Sequence, residues 1–264
     1  MAFIEKIPGL CHNRKNEPEK RTRWRMRQTC AAQGRMKIYG LQKMTLLDFP
    51  GKVACTVFLG GCDFHCPFCH NWELATGSYP AQMEDTQLLA FLKTRQGLLE
   101  GVAVTGGEPL LQDVAPLLRR IRALGFAVKL DTNGTHPERL QELLTEGLVD
   151  YVAMDIKNSP EHYSRTAGVE DLDLTNVKRS VQILLHSSID YEFRTTTVAQ
   201  LHEAQDFVSM GQWLRGAKRY YIQPFTDRDT VPFDGFSAPK QEDLSQYLEI
   251  MRRYVPSAAI RGAE

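Results

Sequence analysis

No cysteine follows Cys69 in this chain of 264 residues. The six present do not make a disulfide framework at this length, so closely spaced thiols among them read as metal ligands in a reducing compartment. Net charge is absent too: 32 Lys/Arg balance 32 Asp/Glu, which removes any general attraction to nucleic acid. No apolar run reaches the ~18 residues that span a bilayer. The first residues lack the charged, apolar, cleavage-site succession of a secretory signal. A cytoplasmic protein with no membrane and no nucleic-acid partner is expected. There is no arrangement of nucleophile, His and Asp of the kind that acyl transfer uses.

What is present is a cluster of thiols. Cys62, Cys66 and Cys69 lie in the run Gly60-Gly61-Cys62-Asp63-Phe64-His65-Cys66-Pro67-Phe68-Cys69-His70-Asn71, directly after the apolar stretch Val53 to Leu59. Three thiolates on one short loop can hold three irons of a cubic iron–sulfur cluster, whereas structural clusters normally take four Cys. The missing fourth ligand leaves one iron open, and an open metal position is where chemistry occurs. His65 and His70 make a Cys3His zinc site the natural rival. Cys55 alternates with Val53, Val57 and Leu59 and reads as a buried core thiol.

The charge is unevenly spread. Residues 1–35 hold nine Lys/Arg and three Asp/Glu, leaving 23 against 29 in the remainder. This polar leader lacks apolar periodicity and reads as disordered. Three explanations compete: a basic arm that touches a partner or nucleic acid; an organelle transit peptide, which Glu5, Glu17 and Glu19 argue against; and the simplest and favoured, that translation starts at Met36. Cys11 and Cys30 then have no role.

From Met36 on, 42% hydrophobic content and the length suit a single α/β domain over 36–264. Short β-branched runs alternate with amphipathic stretches. Strands are expected at Val53–Leu59, Gly101–Thr105, Ala127–Asp131, Tyr151–Ile156, Asp190–Thr196 and Arg219–Gln223, near-continuously apolar as in a parallel sheet buried on both faces. Helical spacing recurs in Val114, Leu117, Leu118, Ile121, Leu124; in Leu140, Leu143, Leu144; in Val177, Val181, Leu184, Leu185; and in Leu244, Tyr247, Leu248, Met251. Asp113 is expected to cap the first of these and Gly125 to end it, with Pro137 in the first turn of the second. Repeated βα units imply right-handed crossovers. Six units, not eight, predict an open partial barrel of parallel strands whose open side can admit part of another protein.

In such folds the reactive groups collect at the C-terminal ends of the strands. The first expected strand ends in the Cys loop and the second in Thr105-Gly106-Gly107-Glu108-Pro109. The third ends in Asp131-Thr132-Asn133-Gly134 and the fourth in Asp155-Ile156-Lys157. The fifth holds Arg194-Thr195-Thr196, and the sixth ends in Gln223-Pro224-Phe225-Thr226. Taken singly, Gly106-Gly107-Glu108 is a tight turn and Asp131-Thr132-Asn133-Gly134 a good turn sequence. Arg194 inside a strand-like run pairs with either a ligand carboxylate or a buried acid.

The C-x3-C-x-aromatic-C pattern, with Phe68 in the aromatic slot, resembles the radical S-adenosylmethionine (SAM) superfamily. The segment from Met36 through Leu47-Asp48-Phe49-Pro50-Gly51 to His70-Asn71-Trp72 is similar to activating proteins of glycyl radical enzymes, most of all those of anaerobic ribonucleoside-triphosphate reductase. The resemblance implies a partial (β/α)6 barrel. It implies a [4Fe–4S] cluster on Cys62, Cys66 and Cys69, whose open iron is chelated by the amino and carboxylate groups of SAM. Reductive cleavage of SAM then gives methionine and a 5′-deoxyadenosyl radical, which takes hydrogen from a glycine α-carbon of the partner. Gly106, Gly107 and Glu108 are implied to line the methionyl amine. Phe68, Asn71, Asp131, Thr132, Asp155, Lys157 and Arg194 are implied to lie about the rest of SAM. In some related activators two such Asp side chains also contribute to a monovalent-cation site. Related pyruvate formate-lyase activators carry a His where this chain has Thr226. A flavodoxin- or ferredoxin-type protein is the implied reductant. The lack of Cys beyond Cys69 removes relatives with auxiliary clusters or an inserted ferredoxin-like domain. Radical SAM enzymes of small molecules, such as deazapurine synthases, stay open, as does a non-catalytic zinc or iron–sulfur module.

Overall fold

The structure, a computed structural model, describes residues 35–262. The basic leader thus lies outside the described residues except for Arg35, whose guanidinium meets Glu84 at 2.7 Å. The described chain opens with β1 (Lys37–Ile38) and β2 (Gly40–Thr45), and β3 (Ala54–Leu59) then leads through the Cys loop into a one-turn helix, α1 (Trp72–Ala75). A short strand, β4 (Met83–Glu84), pairs with β1 and feeds α2 (Asp85–Lys93). Strands and helices then alternate. β5 (Gly101–Gly106), α3 (Ala115–Ala123), β6 (Ala127–Thr132), α4 (Pro137–Thr145) and β7 (Tyr151–Asp155) come first. α5 (Tyr163–Ala167), α6 (Thr175–Leu185), β8 (Asp190–Thr197), α7 (Ala204–Trp213), β9 (Tyr220–Pro224), α8 (Gln241–Arg252) and β10 (Ala259–Ile260) follow.

β3, β5, β6, β7, β8 and β9 lie side by side in that order, all parallel. These are the six strands expected from the sequence. Two more extend the sheet: β2 runs antiparallel beside β3, and β10 runs parallel beside β9. β2 and β10 are the two ends of the sheet and do not pair with each other, so the barrel is open along that seam.

Strand side chains alternate between faces. Val102, Val104, Val128, Leu130, Val152, Met154, Tyr191, Phe193, Tyr220 and Ile222 join the main core, which also takes the helix stripes Leu117, Leu118, Ile121, Leu140, Leu143, Val177, Val181 and Leu184. Each such Leu or Val contributes roughly 1.5–3 kcal/mol of burial. The interleaved positions differ in kind: Thr56, Lys129, Asp131, Asp155, Arg194, Thr196 and Gln223 line an interior cavity. Continuous apolar strands were expected; the structure is apolar toward the helices and polar within.

The floor of the barrel is a separate small cluster of Phe49, Ala54, Tyr151 and Ala153. A Cβ on Gly101 would come within 2.8 Å of the Phe49 ring, so the plug needs a glycine opposite it. Beside it Tyr151 Oη donates to Glu192 (2.6 Å), and Arg261 grips the same buried carboxylate through two nitrogens at 2.6 and 2.8 Å.

The helix ends follow the expected signals with one correction. Pro137 begins α4, and Gly125 (φ +90°) follows α3. Asp113 does not cap α3, whose first residue is Ala115 behind an N-cap at Val114 with no side-chain cap bond. The capping carboxylate in this stretch is that of Glu108, which heads a short 3-10 turn at Pro109–Leu111. α2 and α7 add to the four helical patterns read from the sequence.

Candidate active site

Every polar strand end named above opens on one cavity of ≈ 810 Å³. Cys62, Cys66 and Cys69 line it, with Phe68, Asn71, Thr105, Gly106, Gly107, Asp131, Thr132, Asp155, Lys157 and Arg194. Of the residues expected to hold the cluster or SAM, only Glu108 is not on its wall.

The Cys loop is pinned from outside by backbone. Gly61 and Cys62 donate to Leu74 and Ala75 in and at the end of α1, and the His65 N–H donates to the Ala167 carbonyl at the end of α5. Gly168, at φ +69°, makes that approach possible, since a Cβ there would meet the His65 carbonyl oxygen at 2.0 Å. On the far side, Gly107 and Glu108 donate to Leu59 and Gly61. A Cβ on Gly107 would lie 1.9 Å from the Gly61 oxygen, and one on Gly106 (φ +117°) 2.2 Å from that of Leu59. The two glycines therefore serve the close approach of β5 to the Cys loop.

Glu108 is fully buried and does not itself line the cavity. Its oxygens accept from the Leu110 N–H (2.9 Å), the Thr132 hydroxyl (2.9 Å) and the Asn133 N–H (2.6 Å). Burial pushes its carboxyl up to about 7 against the pull of those donors.

Burial likewise pushes up the thiols of Cys62 and Cys66, and that of Cys69 to about 12. A coordinated metal reverses this, because the thiolate is the ligand. Among the described residues, the one set of three donors whose ligand atoms all converge within 4.8 Å is His162, Glu203 and Asp206. The three thiols are not such a set. The His162 set has a structural explanation. Asp206 and Glu203 form the capping box of α7, and Asp206 also accepts from the Ser159 hydroxyl at 2.6 Å.

A chain of alternating charge crosses the ends of β6, β7 and β8. Lys129 Nζ donates to Asp131 (2.6 Å), and Arg194 bridges Asp131 (3.1 Å) and Asp155 (2.5 Å). Lys157 Nζ completes it on Asp155 at 3.0 Å. Arg194 thus pairs with two acids. Burial alone would raise both carboxyls, but the Arg194 guanidinium, helped by the lysines, holds each below the usual carboxylate range. Asp155 in turn holds the Lys157 ammonium protonated against its burial. Lys129, Arg194 and Lys157 converge on these two acids, and their donors suit an anionic group beside them.

Sequence reasoning passed over Lys129, which also lines the cavity; a charge inside a strand, two residues before Asp131, was the available signal. Asn133 donates to Asp63 (2.7 Å) and points its amide at Cys62 Sγ (3.8 Å). His70 stacks on Phe225, at 5.4 Å between centroids, and its Nε2 lies 2.6 Å from the Thr226 carbonyl oxygen. The Thr226 backbone oxygen thus holds the His of the Cys loop. Phe68 meets Phe225 edge-on. Asn71 donates to the Gly106 carbonyl (3.0 Å), tying the loop to β5.

The family profile described as the radical SAM superfamily matches residues 56–206. The chain belongs to that superfamily. It is 28% identical over 235 residues, 85% of its own length and 95% of the other's, to a Methanocaldococcus jannaschii protein provisionally named a glycyl-radical enzyme activating enzyme. It is 31% identical to a pyruvate formate-lyase-activating enzyme of Listeria monocytogenes, covering 81% of this chain and 95% of that one. A 7-carboxy-7-deazaguanine synthase of Thermococcus kodakarensis is 28% identical over 66% of this chain and 75% of its own. The fold is shared with a radical SAM methyltransferase from Sphaerobacter thermophilus, at a TM-score of 0.65 and 15% identity over 83% of this chain and 68% of that one. The protein is thus a radical SAM oxidoreductase, and its cofactors are a [4Fe–4S] cluster and SAM. The donor set fits both: three thiols lining one cavity, and cationic side chains beside them for a carboxylate. No helix among the described residues is long and apolar enough to cross a membrane.

Proposed function

We propose that this enzyme activates a glycyl radical enzyme, and that its partner is the oxygen-sensitive ribonucleotide reductase of anaerobic metabolism. The carrying observation is the seam between β2 and β10. Leu46 and Leu47, 69% and 80% exposed, follow β2 beside that seam and belong to the cavity lining. An apolar lip leading to a reactive interior suits an extended segment of a folded protein. Relatives named as activators match over nearly their whole length. The Met36 to Trp72 segment favours the reductase.

Bound together, the cluster and SAM supply a radical able to take a hydrogen atom from a glycine α-carbon. The chain's residues hold and shield them. Cys62, Cys66 and Cys69 are the cluster ligands. Arg194 and Lys157, restrained by Asp131 and Asp155, orient the SAM carboxylate. Asn71, Thr132 and the Gly106–Gly107 backbone form the wall on the amine side, and Phe68 excludes water beside the cluster. Glu108 positions that wall from behind. A flavodoxin- or ferredoxin-type protein delivers the electron.

The test is anaerobic reconstitution with reductant, SAM and the reductase, followed by electron paramagnetic resonance. A glycyl doublet is expected. SAM cleavage without a doublet removes this partner. The Thermococcus relative supports a second reading, chemistry on a small deazapurine precursor. Deoxyadenosine formation that responds to the small molecule and not to the protein selects it.

A further inference from the structure

Asp131 and Asp155 end the neighbouring strands β6 and β7, the kind of carboxylate pair that helps hold a monovalent cation in some related activators. In this chain the pair is already furnished with cations. Lys129 Nζ lies on Asp131 Oδ1 at 2.6 Å and Arg194 Nη2 on Asp131 Oδ2 at 3.1 Å. Arg194 Nε lies on Asp155 Oδ1 at 2.5 Å and Lys157 Nζ on Asp155 Oδ2 at 3.0 Å. All four carboxylate oxygens face an ammonium or guanidinium hydrogen.

Two of these cations have nowhere else to go. Lys129 is 2% exposed and Arg194 9%, and each projects from the interior of a strand. Pulling either away to admit a metal ion leaves a buried charge unpaired, a strongly unfavourable exchange. A metal ion entering beside them meets three cationic side chains already seated on the carboxylates. Lysine is also the side chain best suited to stand in for an alkali ion, because its ammonium is a compact point charge with three donors. Being tethered, it needs no capture from solution. The donor set therefore does not fit a monovalent metal, although it fits the SAM carboxylate.

We propose that this chain carries its own counter-cation: the Lys129 ammonium, with the Arg194 guanidinium, replaces a monovalent metal ion at the Asp131–Asp155 pair, and SAM binds without sodium or potassium. Lys129 is thus a positioning residue, acting on SAM through Asp131. The inference rests on SAM occupying this cavity but not on the identity of the partner.

Cluster-loaded protein, prepared anaerobically in choline chloride, is compared at equal ionic strength in sodium and potassium chloride. SAM affinity should agree within about twofold among the three salts, the melting temperature should not move, and sodium NMR relaxation should match that of buffer. Tighter SAM binding in sodium or potassium, or sodium broadening that potassium reverses, overturns the proposal. Lys129→Met keeps the bulk and removes the charge. It should weaken SAM binding about tenfold in choline chloride, with affinity returning when sodium or potassium is added. A folded Lys129→Met protein weakened equally in all three salts makes the lysine merely structural and contradicts the replacement. Should that variant not fold, the wild-type comparison decides alone. No readout uses the partner enzyme, so failure here is distinct from failure of the radical transfer.

Discussion

Glu108 illustrates how a motif residue can act from behind a site. Its carboxyl is held up to about 7 by burial, against a reference value of 4.5. Between those values the unfolded chain binds fewer protons than the folded one, so this group's contribution to stability falls as pH rises through the window. Below it the contribution is fully present. Melting of the cluster-loaded protein should show this slope, on the order of 3 kcal/mol at its limit, and Glu108→Gln should flatten it. An unchanged slope in the variant would assign the effect elsewhere. The Cys trio makes a simpler prediction. Cys62→Ala, Cys66→Ala or Cys69→Ala should each lose the iron–sulfur absorbance, and full activity in any of them contradicts the ligand assignment. These cysteines were legible because spacing on one loop is a local property. Lys129 was not, because its role depends on which face of β6 points inward, and only the partners Asp131, Asp155 and Arg194 reveal that.

At the scale of elements, six strands could be read within a residue of their ends because each is a compact β-branched run between turns. β2 and β10 could not. β2 carries Gln42, Lys43 and Met44, an exposed edge without an alternating signature, and β10 is two residues long. Asp113 failed as a cap because the chain makes a 3-10 turn first and reaches α3 two residues later. The turn at Gly168 also escaped notice, since its partner is His65, about a hundred residues away. It gives a prediction. Gly168→Ala forces a left-handed backbone, costing about 1–2 kcal/mol, and drives a methyl into the His65 carbonyl. The fold should persist with a modestly lower melting temperature while iron content per chain drops. Full iron loading in the variant would show that α5 does not position the Cys loop.

For the whole molecule, the unclosed sheet decides what can reach the cavity. Parallel strands bury one face under helices and free the other for polar groups, and the unpaired ends β2 and β10 leave a lateral way in. Leu46 and Leu47 stand at that opening. Burying one such side chain against a partner is worth roughly 1.5–3 kcal/mol. Leu47→Asp should therefore raise the partner concentration for half-maximal activation tenfold or so, with kcat little changed. An unaltered half-maximal concentration would move the docking surface elsewhere.

The most direct measurement is electron paramagnetic resonance of the reduced, oxygen-free protein with and without SAM. Three thiols on separate irons predict about four irons per chain and a cluster signal that shifts when SAM is added. A signal indifferent to SAM, or zinc in place of iron, would contradict the account.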